Sequence, residues 1–138
     1  MIVVDTNAVS ELMRPRPAQA VLAWFDAQPT AQLHVTTLTV AELLAGIALL
    51  ARGKRRDALE LAARQVIEHD FAGRCLAFDV AAAREYAAIV AGRSRAGAPI
   101  SAIDAQIAAI VRSRDGVLAT RNGRDFVGCG IDVVDPWS

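Results

Sequence analysis

The sequence carries no excess of charge: fifteen lysines and arginines stand against fifteen aspartates and glutamates over 138 residues. A chain so balanced does not announce affinity for a polyanion, so any contact with nucleic acid must come from local basic patches. Cysteine is scarce too. Cys75 and Cys129 form no C-x-x-C and are too few for a disulfide framework or a zinc site by themselves. Both read as buried free thiols in a reducing compartment. Long apolar runs are missing: the longest uncharged one, Leu43 to Ala51, contains Gly46 and stops at Arg52, against the roughly 20 residues a membrane span needs. Only Met1 to Val4 precede Asp5, with no basic segment before them, so no secretory signal is expected. These absences point to a soluble, cytoplasmic protein without a membrane partner. There is also no P-loop, no G-x-S-x-G and no G-x-G-x-x-G; Gly128-Cys129-Gly130 is only a fragment. His34 falls inside a strand pattern and His69 at a helix end, and neither has a nucleophile near it in sequence.

What is present is apolar substance. Apolar residues make up 54% of the chain, too much for disorder, and the length suits one domain spanning residues 1–138. Short runs rich in β-branched residues predict strands at Met1–Val4, Leu33–Thr36, Cys75–Phe78, Val117–Ala119 and Ile131–Val134. Between them, helical spacing predicts a turn at Val9–Arg14 closed by Pro15 and Pro17, then helices over Ala18 to about Pro29, Val40–Arg52 and Asp57–Phe71. Asp79 is a suitable N-cap for a helix ending near Ala91, Gly92–Pro99 reads as a loop, and a last helix covers Ala102–Ser113. Alternation of this kind predicts a three-layer α/β/α sandwich around a central, mainly parallel five-stranded sheet. Right-handed crossovers then place the carboxyl end of every strand on one edge, where open sheets of this class bind ligands. Pro136 and Trp137 are expected to pack the chain end down.

The acids are distributed with that edge in view. Asp5 closes the first strand and either caps the next helix or faces the crevice. Glu42 in Thr39-Val40-Ala41-Glu42 and Asp104 in Ser101-Ala102-Ile103-Asp104 both fit the [ST]-x-x-[DE] capping box, a role that would spend them on backbone N–H groups. Asp104 lies at the edge of its helix's apolar stripe, where an unpaired carboxylate is costly. Glu42 points away from the centre of its own. Asp125, and Asn122 in the Asn122-Gly123 turn, follow the fourth strand. Carboxylates gathered on one rim raise each other's pKa unless a cation joins them. Oxygen ligands without His or Cys suit Mg²⁺ or Mn²⁺ rather than zinc. Such an ion acidifies a bound water and stabilises phosphoryl oxygens.

Asp5-Thr6-Asn7, the Thr39–Glu42 segment, Asp104 at a late helix start, and Thr120-Arg121-Asn122 followed by Asp125-Phe126 together resemble the PIN-domain ribonucleases. Within that family the chain looks like the VapC toxins of toxin–antitoxin pairs, in the FitB-like branch, over nearly its whole length including Asp135-Pro136-Trp137. The resemblance implies Mg²⁺- or Mn²⁺-dependent cleavage of RNA, homodimerisation, and inhibition by a VapB-type antitoxin. The complex would be a heterotetramer or larger, with DNA contacted only through the antitoxin. It places metal-site acids at Asp5, Glu42 and Asp104. The fourth position departs from the pattern: FitB-like sequences carry an acid where Asn122 stands, whereas many VapC toxins carry one at the place of Asp125. Asp125 is taken as the fourth carboxylate, with Asn122 as a neutral contributor. Thr6, Asn7 and Thr120 would orient the carboxylates.

Arg121 and Arg124 flank Asn122 and are the favoured phosphate contacts, with Arg14 and Arg16 near Asp5 as further candidates. Arg52–Arg56 reads as a solvated turn away from the rim. The expected function is therefore a metal-dependent endoribonuclease toxin. The alternative, motivated by Asn122, is a PIN-like module that binds its antitoxin in a DNA-bound complex without hydrolysis. A receiver-type signalling domain is disfavoured, because no lysine follows a late strand to meet a phosphoryl group.

Overall fold

The computed structural model describes residues 1–138. Five strands form one sheet in the order β3-β2-β1-β4-β5, every pairing parallel: β1 (Ile2–Val4), β2 (Leu33–Thr36), β3 (Cys75–Leu76), β4 (Val117–Ala119) and β5 (Asp132–Val134). The first strand is central because it is the most apolar, with Val3 and Val4 both fully buried. Side chains alternate across a sheet, so the two valines serve opposite layers. Val3 joins a cluster with Ala105, Ile107, Ile110, Val111 and Leu118, whereas Val4 packs with Ala8, Val9, Leu33 and Val35.

One covering layer holds α1 (Thr6–Leu12), α2 (Gln19–Ala27), α3 (Thr37–Ala48) and α4 (Lys54–Gln65), and the other holds α5 (Val80–Arg95) and α6 (Ala102–Ser113). This is the expected three-layer sandwich. No helix is long and apolar enough to cross a membrane. Pro136 is buried and Trp137 packs against the Val4 cluster, as expected for the chain end.

Several helix boundaries differ from the sequence expectation. The first helix begins at Thr6 rather than Val9, because the Asp5 carboxylate accepts from Thr6 N and supplies the cap. Helix α3 begins at Thr37: Thr36, not Thr39, is its N-cap and accepts from Thr39 N at 3.1 Å. The basic segment is not a turn but the first turn of α4, which starts at Lys54 and passes into a π-turn at Val66–Asp70. Helix α5 runs on through the expected loop to Arg95. Cys75, on the short edge strand β3, is exposed rather than buried, while Cys129 is buried.

The sheet order reverses between β1 and β4, since the chain builds β1, β2 and β3 outward on one side before crossing to β4 and β5. That junction is where a crevice opens beyond the carboxyl ends of the strands. Asp5 follows β1 and Thr120 follows β4, so both stand at its mouth.

Candidate functional site

Asp5 is 6% exposed and its carboxylate accepts three hydrogen bonds from the chain. Oδ1 accepts from Thr6 N at 2.8 Å, and Oδ2 accepts from Thr120 Oγ1 at 2.8 Å and Asn7 Nδ2 at 3.2 Å. The capping reading therefore holds for Oδ1, while Oδ2 reaches across to the segment that follows β4. Burial pushes its pKa above the ordinary aspartate value. The Thr120 and Thr6 hydrogen bonds pull the other way, and the charges of Asp104 and Glu42 add to the rise.

Glu42 is exposed on α3, and its Oε1 accepts from Thr6 Oγ1 at 2.7 Å. Its capping-box role is not realised, since Thr36 already occupies the cap. Thr6 Oγ1 also lies 3.0 Å from Thr39 Oγ1. A hydroxyl has one proton to give, so with Thr6 donating to the carboxylate, Thr39 donates to Thr6. At α6, Ser101 Oγ accepts from Asp104 N at 3.2 Å, but no return bond from Ser101 N engages the Asp104 carboxylate. Half a capping box is formed and the acid is left free.

Asn7 and Thr120 complete the support. Asn7 Nδ2 reaches Thr120 Oγ1 at 3.1 Å, and Asn7 Oδ1 accepts from Arg121 N at 3.2 Å. Asn122 N donates to Thr120 Oγ1 at 3.1 Å, tying the start of the next segment to the same hydroxyl. Asp125 stands apart. It is exposed in the 3-10 turn Gly123–Phe126, its backbone carbonyl accepts from Arg93 Nη1 at 2.9 Å, and its charge is not among those acting on Asp5. Hydrogen bonds thus join Asp5 and Glu42 to Thr6, Asn7 and Thr120 and link Asn122 to them through its backbone, while Asp104 lies close enough for its charge to act on Asp5.

These three acids form no salt bridge, and the donor set is oxygen throughout. A hard divalent cation fits that chemistry: a buried carboxylate whose pKa is raised partly by two other acids gains from a positive charge. As the side chains stand, no three acids, histidines or cysteines converge on one ion, and Glu42 is turned onto Thr6.

The basic candidates divide. Arg14 pairs with Glu11 at 3.2 Å, Arg124 is exposed in the 3-10 turn, and Arg121 lies with its guanidinium 5.0 Å from the centre of the Trp137 ring. A cavity of about 700 Å³ beside Glu42 is lined by Thr6, Arg14, Glu42, Leu43, Ile47 and Arg55, among others. Arg55 lines this cavity at the start of α4, whereas Asp5 and Asp104 do not line it.

Sequence reasoning missed two residues. Glu11 is a buried acid, and its Oε2 accepts from Ala18 N at 2.9 Å. Thr39 is buried beneath Thr6, and only its place in an apparent capping box drew attention to it.

Residues 2–127 match the PIN domain. The chain belongs to the PIN-domain family. It is 40% identical over 137 residues to the VapC ribonuclease Y4jK of Sinorhizobium fredii, covering 99% of this chain and 98% of the other. It is 39% identical over 137 residues to toxin FitB of Neisseria gonorrhoeae, covering 99% of each. In shape it is similar to the structure of FitAB bound to an IR36 DNA fragment, with a TM-score of 0.92 and 38% identity over all of this chain and 96% of that one. The all-parallel five-stranded order is thus the PIN-like arrangement, and Asp5, Glu42 and Asp104 sit on its carboxyl edge.

Proposed function

We propose that this PIN-domain protein is a metal-dependent endoribonuclease and the toxin of a toxin–antitoxin pair. The observation that carries the reading is the buried Asp5 carboxylate, its pKa raised first by burial and to a lesser degree by Asp104 and Glu42, with no cationic side chain paired to any of the three. Similarity to proteins named VapC ribonuclease and toxin FitB supports RNA as substrate and a growth-inhibiting role.

Asp5, Glu42 and Asp104 would hold Mg²⁺ or Mn²⁺, with Asn122, tied to Thr120, as a neutral contributor; Asp125, the fourth carboxylate expected from the sequence, stands apart on the exposed Gly123–Phe126 turn. A bound ion supplies an acidified water and charge stabilisation for the phosphoryl oxygens. The chain supplies the rest. Thr120 and Asn7 fix Oδ2 of Asp5, Thr6 fixes Oδ1 through its amide, and the Thr39–Thr6 pair holds Glu42. Arg121, Arg124 and Arg14 would contact RNA phosphates. A VapB-type antitoxin would inhibit the enzyme, which would act in the cytoplasm as a homodimer and contact DNA only through that partner; assembly with it gives a heterotetramer or larger complex.

The test is cleavage of RNA by purified protein with Mg²⁺ or Mn²⁺. Wild type should cut, EDTA should stop it, and Asp5→Asn should be inactive. Tight antitoxin binding with neither cleavage nor a metal site would instead favour the non-hydrolytic alternative that Asn122 motivates.

A further inference from the structure

Trp137 belongs to the chain end, yet its ring lies under the guanidinium of Arg121, on the segment that leaves β4 beside Asp5. The tryptophan is not a loose platform. Pro136 before it is buried, its amide donates to Asp135 Oδ1 at 2.8 Å, and its side chain packs against the cluster of Val4, Ala8 and Val9. The other end of Arg121 is equally fixed, because its amide donates to Asn7 Oδ1, and Asn7 holds Asp5. The guanidinium donates to no protein acceptor, and its residue is exposed. The nearby buried Glu11 carboxylate feels the Arg121 charge without closing a salt bridge to it. A cation with its donor fork free, its position set by an aromatic face and its backbone tied to the site is prepared for a phosphate.

We propose that Trp137 is a positioning residue for the substrate: it holds Arg121 over the active rim so that the guanidinium meets an RNA phosphate next to the scissile one. The inference rests on the ribonuclease reading. It assigns a function to the chain terminus that packing alone does not require, since packing would be served by any large apolar side chain. A guanidinium held in advance loses less freedom on binding, and the benefit appears in substrate affinity.

The experiment is steady-state cleavage of a short single-stranded RNA by the full chain, with Trp137→Phe, Trp137→Leu, Arg121→Ala and the double variant Trp137→Leu/Arg121→Ala. A cation–π contact at a partly exposed site changes affinity roughly two- to five-fold. Trp137→Leu should therefore raise KM by about that factor with kcat little changed, and Trp137→Phe should retain most of the wild-type value. In the Arg121→Ala background, Trp137→Leu should add nothing further to KM. RNA affinity should also lose salt dependence, the log–log slope falling by up to about 0.7 in Arg121→Ala. Equal losses from Trp137→Leu with and without Arg121, or a fall in kcat alone, would show a merely structural tryptophan and overturn the inference. If wild type cuts RNA and Trp137→Leu leaves KM unchanged, this inference fails alone. If wild type neither binds nor cuts RNA, the ribonuclease reading fails and takes the positioning role with it.

Discussion

Thr120 Oγ1 donates to Asp5 Oδ2 at 2.8 Å, joining two residues 115 positions apart across the junction of β1 and β4. Parallel pairing of Val4 with Ala119 sets this approach, and Asp5 N completes it by donating to Ala119 O at 2.9 Å. The hydroxyl stabilises the charged form of a carboxylate whose pKa burial pushes up.

Thr120→Val preserves shape and removes that donor. Metal affinity should fall by about ten- to a hundred-fold, the usual cost of losing a group that orients a ligand. The pKa of Asp5 should rise further. Manganese titration at several pH values checks both effects.

The raised pKa of Asp5 has two opposite consequences. Protons compete with metal at pH values above the ordinary aspartate range, so the acid limb of activity should lie above that range and move down as metal concentration rises. In the metal-free protein the native state holds this proton more tightly than the unfolded chain. Stability contributed by Asp5 is therefore lost as pH climbs from the ordinary aspartate range through the raised value. Denaturant melts with EDTA and with Mn²⁺ should diverge most above that window.

Glu11 behaves in the reverse sense. The hydrogen bond from Ala18 N holds its pKa below the ordinary glutamate value; partial desolvation opposes this, and Arg14 and Arg121 assist. Its stabilisation is present above the ordinary glutamate value and is lost as pH falls through the depressed one. Glu11→Gln should be less stable than wild type near neutrality, with the gap closing in acid. Denaturation midpoints measured from pH 7 downward give the comparison.

Two threonines at the start of α3, the cap Thr36 and the helical Thr39, separate stability from function. Thr36→Ala removes the N-cap and should cost about 1 kcal/mol, within the usual range for caps. Thr39→Ala leaves that cap in place and removes the hydroxyl behind Thr6, so its larger effect should fall on metal affinity. Equal losses of metal affinity in both variants would argue against this division.

The sheet was legible because each strand is a short apolar run between turn residues, and parallel topology then forced Asp5 and Thr120 to one edge. Helix starts were harder. Thr36, Thr37 and Thr39 are chemically alike as caps, and only the backbone's departure from β2 decides for Thr36. That choice releases Glu42 from the capping box and makes it available to Thr6. Asp5 defied an either-or reading because its two oxygens serve different tasks. Glu11 was invisible because its partner, Ala18 N, is a backbone group that no side-chain pattern reports. Asp125 and Asn122 differ in charge as the sequence shows, but their positions emerge only from the turn at Gly123: Asn122 is tied to Thr120, while Asp125 is exposed on the 3-10 turn.

In the proposed ribonuclease, Asp5, Glu42 and Asp104 would share one divalent cation. Calorimetric titration of Mn²⁺ into the full chain, and into Asp5→Asn, Glu42→Gln and Asp104→Asn, tests it directly. The prediction is a saturable site in wild type that is lost or greatly weakened in all three variants while each remains folded. Wild-type affinity in folded Asp5→Asn or Asp104→Asn would contradict the shared site.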